Sequence, residues 1–257
     1  MDVQNAALSF GRRTQAYETF RISYPPELFD LILASAPNMK HDLAVDLGSG
    51  TGISAQPLTK RFKRVIAVEP DARMAERIPK GQTLDVRVGG AEDFRTPPGS
   101  VDLITSGTAF YWMDGPKIVS QMADWLHKDG AVAVYRYALP NIPAALAEII
   151  DAEFREHWDQ FRHPRLLDEA YSWNCFKNTP LFAKRSVRQI PHVAKMNFQT
   201  IVGFFGSTSY VGAYLRSIPD PDQYLLDLGH TVRSAMGDKP FDVDFPTELI
   251  LASEPKV

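Results

Sequence analysis

Apolar and polar positions follow two rhythms along the first half of the chain. Short runs rich in Val, Ile, Leu and Ala, at 43–47, 64–68, 84–88, 101–105 and 131–135, are too brief for helices and read as buried strands. Between them, apolar residues recur at intervals of three and four. Residues 26–36 place Leu28, Phe29, Leu31, Ile32 and Leu33 on a helix ending near Pro37, and 53–62 and 72–78 read as further helices. Residues 117–127 set Ile118, Met122, Trp125 and Leu126 on one helical face, with His127-Lys128-Asp129-Gly130 as the stop. This alternation predicts an α/β fold with parallel strands, helices on both faces and ligands at the carboxyl edge. After Tyr137 the alternation stops. A helix is expected over 144–158, a strand over 186–193 and a helix over 222–235, while 241–245 and 248–252 read as one closing strand bent at Pro246. No repeat or low-complexity stretch interrupts the chain, so 1–257 reads as a single domain in which the irregular segments cap the site.

The first strand ends in Asp46 and enters Gly48-Ser49-Gly50-Thr51-Gly52, and the second ends in Glu69, roughly twenty residues after the glycines. Glycines let the backbone turn tightly and approach a ligand, and a helix start offers free N–H groups. A dinucleotide needs its third glycine one position later, where this chain has Ile53, which disfavours a dehydrogenase. Asp46 would repel a pyrophosphate but can accept hydrogen bonds from the ammonium of an amino acid. Glu69 suits ribose hydroxyls. The expected ligand is therefore an amino acid joined to a nucleoside, S-adenosylmethionine.

At this point the chain resembles the class I S-adenosylmethionine-dependent methyltransferases. Val45 to Gly52 is similar to that family's first motif, Val68-Glu69-Pro70 to its second, Gly90-Ala91-Glu92-Asp93-Phe94 to its adenine loop and Val101 to Thr105 to its fourth strand. A closer resemblance, to the small-molecule branch that includes trans-aconitate methyltransferase, lies in three segments. They are the Tyr17, Arg21 and Tyr24-Pro25-Pro26 region, Ala109 to Asp114, and His157 to Gln160 with Arg165 and Leu166. Tyr111 departs from the histidine usual there. The resemblance implies a seven-stranded, mostly parallel Rossmann-like sheet with an antiparallel last strand, an N-terminal lid over 1–37 and a helical cap at about 138–182 and 198–237. It implies cofactor contacts from Tyr17, Arg21, Asp46, Gly48, Ser49, Gly50, Gly52, Glu69, Pro70, Met74, Ala91, Glu92, Ser106 and Tyr111.

Acceptor candidates are Tyr24, Tyr111, Trp112, Arg136, Tyr137, Arg165, Tyr210 and Tyr214, with Arg162 and Arg216 beside them. An arginine pair would suit a polycarboxylate. If the acceptor must lose a proton, Tyr111, His157 and His163 are the catalytic candidates. The expected reaction is methyl transfer to an oxygen of a small-molecule carboxylate or hydroxyl. Carbon or nitrogen transfer, and a non-catalytic module keeping the cofactor fold, are the alternatives.

Composition narrows the partners. A net charge of −3 gives no electrostatic case for nucleic acid, and the Lys60, Arg61, Lys63, Arg64 cluster sits where a helix end favours cations. One cysteine, Cys175, excludes an intramolecular disulfide, and the six histidines form no ligand pair, so no metal is expected. With no membrane-length apolar run or signal-like start, a cytoplasmic monomer or homodimer is expected.

Overall fold

A computed structural model describes residues 14–256. Its strands are β1 (Leu43–Leu47), β2 (Arg64–Glu69), β3 (Leu84–Val88), β4 (Val101–Gly107), β5 (Leu126–Tyr137), β6 (Phe182–Ile190), β7 (Val193–Met196), β8 (Phe241–Asp244) and β9 (Thr247–Pro255). Seven of them form one sheet in the order β3-β2-β1-β4-β5-β9-β6, parallel through β5. The last strand, β9, inserts antiparallel to both β5 and β6, as expected of this architecture. The chain divides into two compact units. Residues 23–138, 168–190 and 247–256 build the sheet unit; residues 14–22, 139–167 and 191–246 build a second, mostly helical unit. The segment 168–182 therefore groups with the sheet, not with the cap, and the expected lid is shared between the units at residue 22.

Alternation along the central strands fills both faces of the sheet. Ala44, Val65, Ala67, Leu103, Ala133 and Tyr135 face one layer, completed by Leu28, Phe29 and Ile32 of helix Pro26–Ala34. Val45, Leu47, Ile66, Val68, Ile104, Val132 and Val134 face the other, where helix Gly115–Trp125 contributes Ile118, Met122 and Trp125 and helix Tyr171–Lys177 contributes Phe176. Pro26 starts its helix where a missing N–H costs nothing, and Asp114 caps the other by accepting from Lys117 N. The origin of β1 is fixed by a buried carboxylate on its neighbour: Asp102 Oδ2 accepts Asp42 N at 2.8 Å and Leu43 N at 3.0 Å.

Four expected elements differ. The helix over 53–62 is a run of turns followed by a 3-10 stretch, Gln56–Lys60, because Pro57 supplies no N–H to continue an α-helix. The stop at 127–130 lies inside β5, whose first residues pair with Val101 before a register shift. A Cβ at Gly130 would meet the Asp102 carbonyl at 2.6 Å, so glycine allows that close approach of backbones. The closing strand expected to bend at Pro246 is two elements: β8 pairs with β7 in a separate two-stranded sheet, while β9 joins the main sheet. Likewise the strand expected at 186–193 is β6, which ends at Ile190, followed by β7.

In the second unit, helix Ala144–Glu153 continues as a π-helical turn, Phe154–Trp158. Helices Phe198–Gly206, Ser209–Ser217 and Pro221–Met236 complete it. Asn197 and Thr200 close a reciprocal capping box at the first of these. Its interior is aromatic. Trp158 stacks on Phe205 with centroids 5.5 Å apart, and Phe154 meets Trp158 edge-on at 5.2 Å. Among the described residues no helix is long and apolar enough to cross a membrane. Replacing Asp102 by Ala strands two backbone donors at the start of β1 and should destabilise the protein by about 2 to 3 kcal/mol, read as a lower denaturant midpoint with unchanged slope.

Candidate active site

The glycine turn is built at the carboxyl edge where β1 lies between β2 and β4. Gly48, Gly50 and Gly52 have φ of 71°, 57° and 92°, a region that only glycine occupies without strain. A Cβ on Gly48 would also sit 2.5 Å from the Ala109 Cβ of the segment after β4. The Val68 carbonyl accepts both Gly48 N, at 2.8 Å, and Ser49 N, at 3.1 Å, so β2 holds the turn against β1. Those two donors are spent within the protein. The helix that would follow the loop is reduced to turns and a 3-10 stretch.

Glu69 ends β2 beside the turn. Its Oε2 accepts Gly50 N at 2.8 Å and its Oε1 accepts Asp71 N at 2.9 Å, and the residue is 7% exposed. Burial raises its pKa to about 7, against the pull of those two backbone donors; the charges of Asp71 and Asp46 add to the rise. Each oxygen keeps a lone pair, which fits a ribose diol.

Asp46 is fully buried, with Oδ1 accepting the Thr105 hydroxyl at 2.6 Å and Oδ2 accepting the Ser54 hydroxyl at 2.7 Å. Burial pushes its pKa up, opposed by these hydroxyl donors and by Ser49. The carboxylate ties β1 to β4 and to the turn after the glycines, so both of its oxygens are engaged inside the protein. Tyr135, fully buried beside this group, has its phenol pushed well above the usual range by burial and by the charge of Asp46.

Other expected cofactor residues divide similarly. Ser106 is fully buried and donates to the Leu47 carbonyl at 3.0 Å, and Met74 is 2% exposed in the core on helix Ala72–Ala75. Both are packed into the scaffold. Pro70 is exposed at the edge. Ala91 is buried at the start of the 3-10 turn Ala91–Asp93, and Glu92 Oε1 accepts Asp114 N at 2.8 Å, joining the loop after β3 to the helix after β4. Tyr111 and Trp112 lie on a 3-10 turn after β4, their rings 5.2 Å apart, and Tyr111 is buried.

The segment between β4 and Tyr111 contains a residue that the sequence did not mark. Thr108 has φ of 52°, strained for a β-branched residue, and donates its N–H to the Tyr135 carbonyl at 2.7 Å. Its hydroxyl lies 2.6 Å from the Tyr24 hydroxyl. Tyr24, Tyr135 and Tyr137 gather there, with the Tyr24 ring 4.7 Å from Tyr135 and 6.0 Å from Tyr137. Ser54, Thr105 and Thr108 had no recognisable signal, since isolated hydroxyl residues occur throughout the chain.

Arg136 lies on β5 across from Glu248 of β9, and the remaining candidates belong to the helical unit. Arg21 lies over the rings of Tyr17 and Phe204, at 4.8 and 5.5 Å, and donates to the Ser207 carbonyl at 3.3 Å. His157 stacks on Tyr214 at 5.0 Å, and the His163 ring accepts Arg165 N at 3.2 Å. Arg162 pairs with Asp159 and covers the rings of Phe154 and Tyr210, at 5.4 and 6.0 Å. Tyr224 bonds to Glu153 and receives the Trp158 indole N–H at 3.0 Å. Among the described residues there is no cluster of three or more His, Cys, Asp or Glu side chains able to hold a metal.

A parallel sheet closed by an inserted antiparallel strand, with a glycine turn and acid at its carboxyl edge, defines the class I methyltransferase architecture. Residues 45–134 match the methyltransferase domain family. A Dictyostelium discoideum protein provisionally named a methyltransferase is 28% identical over 256 residues, covering 95% of this chain and 94% of that one. An uncharacterized methyltransferase of Mycobacterium tuberculosis is 33% identical over 133 residues, 51% of this chain and about half, 53%, of its own length. A solved structure from Anaeromyxobacter dehalogenans, provisionally named a type II methyltransferase, superposes with a TM-score of 0.75 at 22% identity, covering 93% of this chain and all of that one. Residues 45–134 thus carry a methyltransferase domain, and the fold of the chain is the one shared with that solved structure.

Replacing Asp46 by Ala leaves two buried hydroxyls without an acceptor and should cost about 2 to 4 kcal/mol of stability, measured by chemical denaturation. The raised pKa of Glu69 makes two further effects testable. The folded state binds a proton that the unfolded chain releases, so without ligand stability should fall as pH rises from about 4.5 towards about 7. Ribose hydroxyls donate to the ionised form. Calorimetric affinity for S-adenosylmethionine should therefore strengthen with pH to a plateau above about 7, and in Glu69→Gln be roughly tenfold weaker and flat with pH.

Proposed function

We propose that this methyltransferase acts on an oxygen of a small molecule, and that a hydroxyl suits it better than a carboxylate. One arrangement supports this reading. At the carboxyl edge of β5, Arg136 lies directly across from Glu248 on β9, and Glu248 in turn faces Gln189 on β6. Glu248 Oε1 is buried and makes no hydrogen bond among the described residues. Burial raises its pKa, with Arg136 pulling it down and Glu169 adding to the rise. A trans-aconitate-like acid would bring another carboxylate to that group, whereas a hydroxyl donates to it.

S-adenosylmethionine supplies an electrophilic methyl on a sulfonium, and an alcohol or phenol oxygen attacks it well only when aligned and relieved of its proton. In this reading Glu69 grips the sugar and the glycine turn lets the backbone close on the amino-acid end. Tyr111 and Trp112 shape the acceptor pocket, Arg136 orients a second polar group on the acceptor, and Glu248 accepts the hydroxyl proton. Its raised pKa makes it a better base at neutral pH than an exposed glutamate. Arg165, Tyr210 and Tyr214, with His157 and His163, are the cap residues proposed to set acceptor shape.

The test is transfer from methyl-labelled S-adenosylmethionine to the small molecules of a cell extract. The labelled product should be an ether that survives mild base. Release of labelled methanol would indicate an ester and overturn the hydroxyl preference; label on nitrogen or carbon would overturn oxygen transfer. With the acceptor identified, Glu248→Gln should lower kcat by roughly a hundredfold while KM changes little.

A further inference from the structure

The helical unit contains a cavity of its own. It has a volume of about 300 Å³, and every residue around it belongs to this one unit. Ala147, Ile150 and Phe154 lie at intervals of three and four on helix Ala144–Glu153 and its π-helical continuation, so they form one wall, with Phe205 opposite. The π-helical turn begins at Phe154, where an extra residue per turn changes the spacing of the wall; such turns are frequent at ligand sites. The segment entering the helix forms the other side. It is held in place by Asn141, which bridges to Asp244 through its backbone N–H at 2.8 Å and its side-chain amide at 2.9 Å.

Two features of the rim point to the ligand. Leu139 is 43% exposed at the mouth, an apolar surface that nothing in this unit covers. Asp151 stands beside it, exposed, and makes no ion pair or side-chain hydrogen bond among the described residues. A dry aromatic and aliphatic floor with one unengaged carboxylate at the edge suits an apolar body carrying a cation. The faces of Phe154 and Phe205 add a preference for the same charge. The volume lies at the small end of ligand sites, enough for one ring and a short chain.

We propose that this cavity binds a small aromatic or aliphatic ammonium compound, its apolar part against Ile150, Phe154 and Phe205 and its ammonium on Asp151.

Calorimetry on the full chain without S-adenosylmethionine tests this with three probes of one shape: 2-phenylethylamine, 2-phenylethanol and phenylacetate. The amine should bind in the micromolar to millimolar range, the alcohol roughly tenfold more weakly and the anion more weakly still. Asp151→Asn, a surface change, should bring the amine to the affinity of the alcohol. Ala147→Trp, which fills the cavity from its half-buried wall, should abolish binding of all three while circular dichroism stays unchanged. Absence of heat from the amine up to about 10 mM, equal affinity for all three probes, or undiminished binding to Ala147→Trp would overturn the proposal. None of these outcomes depends on methyl transfer, so their failure leaves the reading of the active site as it stands.

Discussion

A single buried carboxylate organises the carboxyl edge of the sheet. Asp46 accepts hydroxyl donors from β4 and from the turn beyond the glycines, so one ionisable group joins β1 to both. Its desolvation cost is offset by those short hydrogen bonds, and removing it would leave the donors stranded in an apolar layer. The Val68 carbonyl adds a second clamp by holding two successive N–H groups of the same turn. Together they fix a glycine loop whose left-handed residues would otherwise be free to sample many conformations.

That rigidity explains the division of labour between the two acids. Asp46 is fully buried and held by two hydroxyl donors, while Glu69, one strand away, is held by two backbone donors and is 7% exposed. The environment that gives Glu69 a pKa of about 7 is the one a ligand would complete: a partly dry site with fixed donors and unused lone pairs. Binding and protonation are thereby linked. Glu248 repeats the pattern on β9, half-buried and with one oxygen still without a donor.

The helical unit is held by other means. Its interior is a chain of ring contacts running through Phe154, Trp158, Phe205 and Phe204, with arginines laid over aromatic faces. Planar contacts of this kind tolerate variation in ring identity more readily than a ladder of strand hydrogen bonds does.

Local sequence determined the strands, the glycine turn and the acid beyond it, because a period of two, a cluster of glycines and a β-branched run each record a backbone requirement at the residue itself. Tertiary structure alone decided that Pro57 reduces the expected helix to 3-10 turns, that β8 and β9 part at Pro246, and that Asp46 faces inward. It also decided the strain at Thr108 and the meeting of Arg136 with Glu248, residues 112 positions apart that come together only because β9 inserts beside β5. Such outcomes depend on which surfaces compete for the same space and on which donors reach a buried acceptor. Those competitions arise between segments, and no single segment carries a record of them.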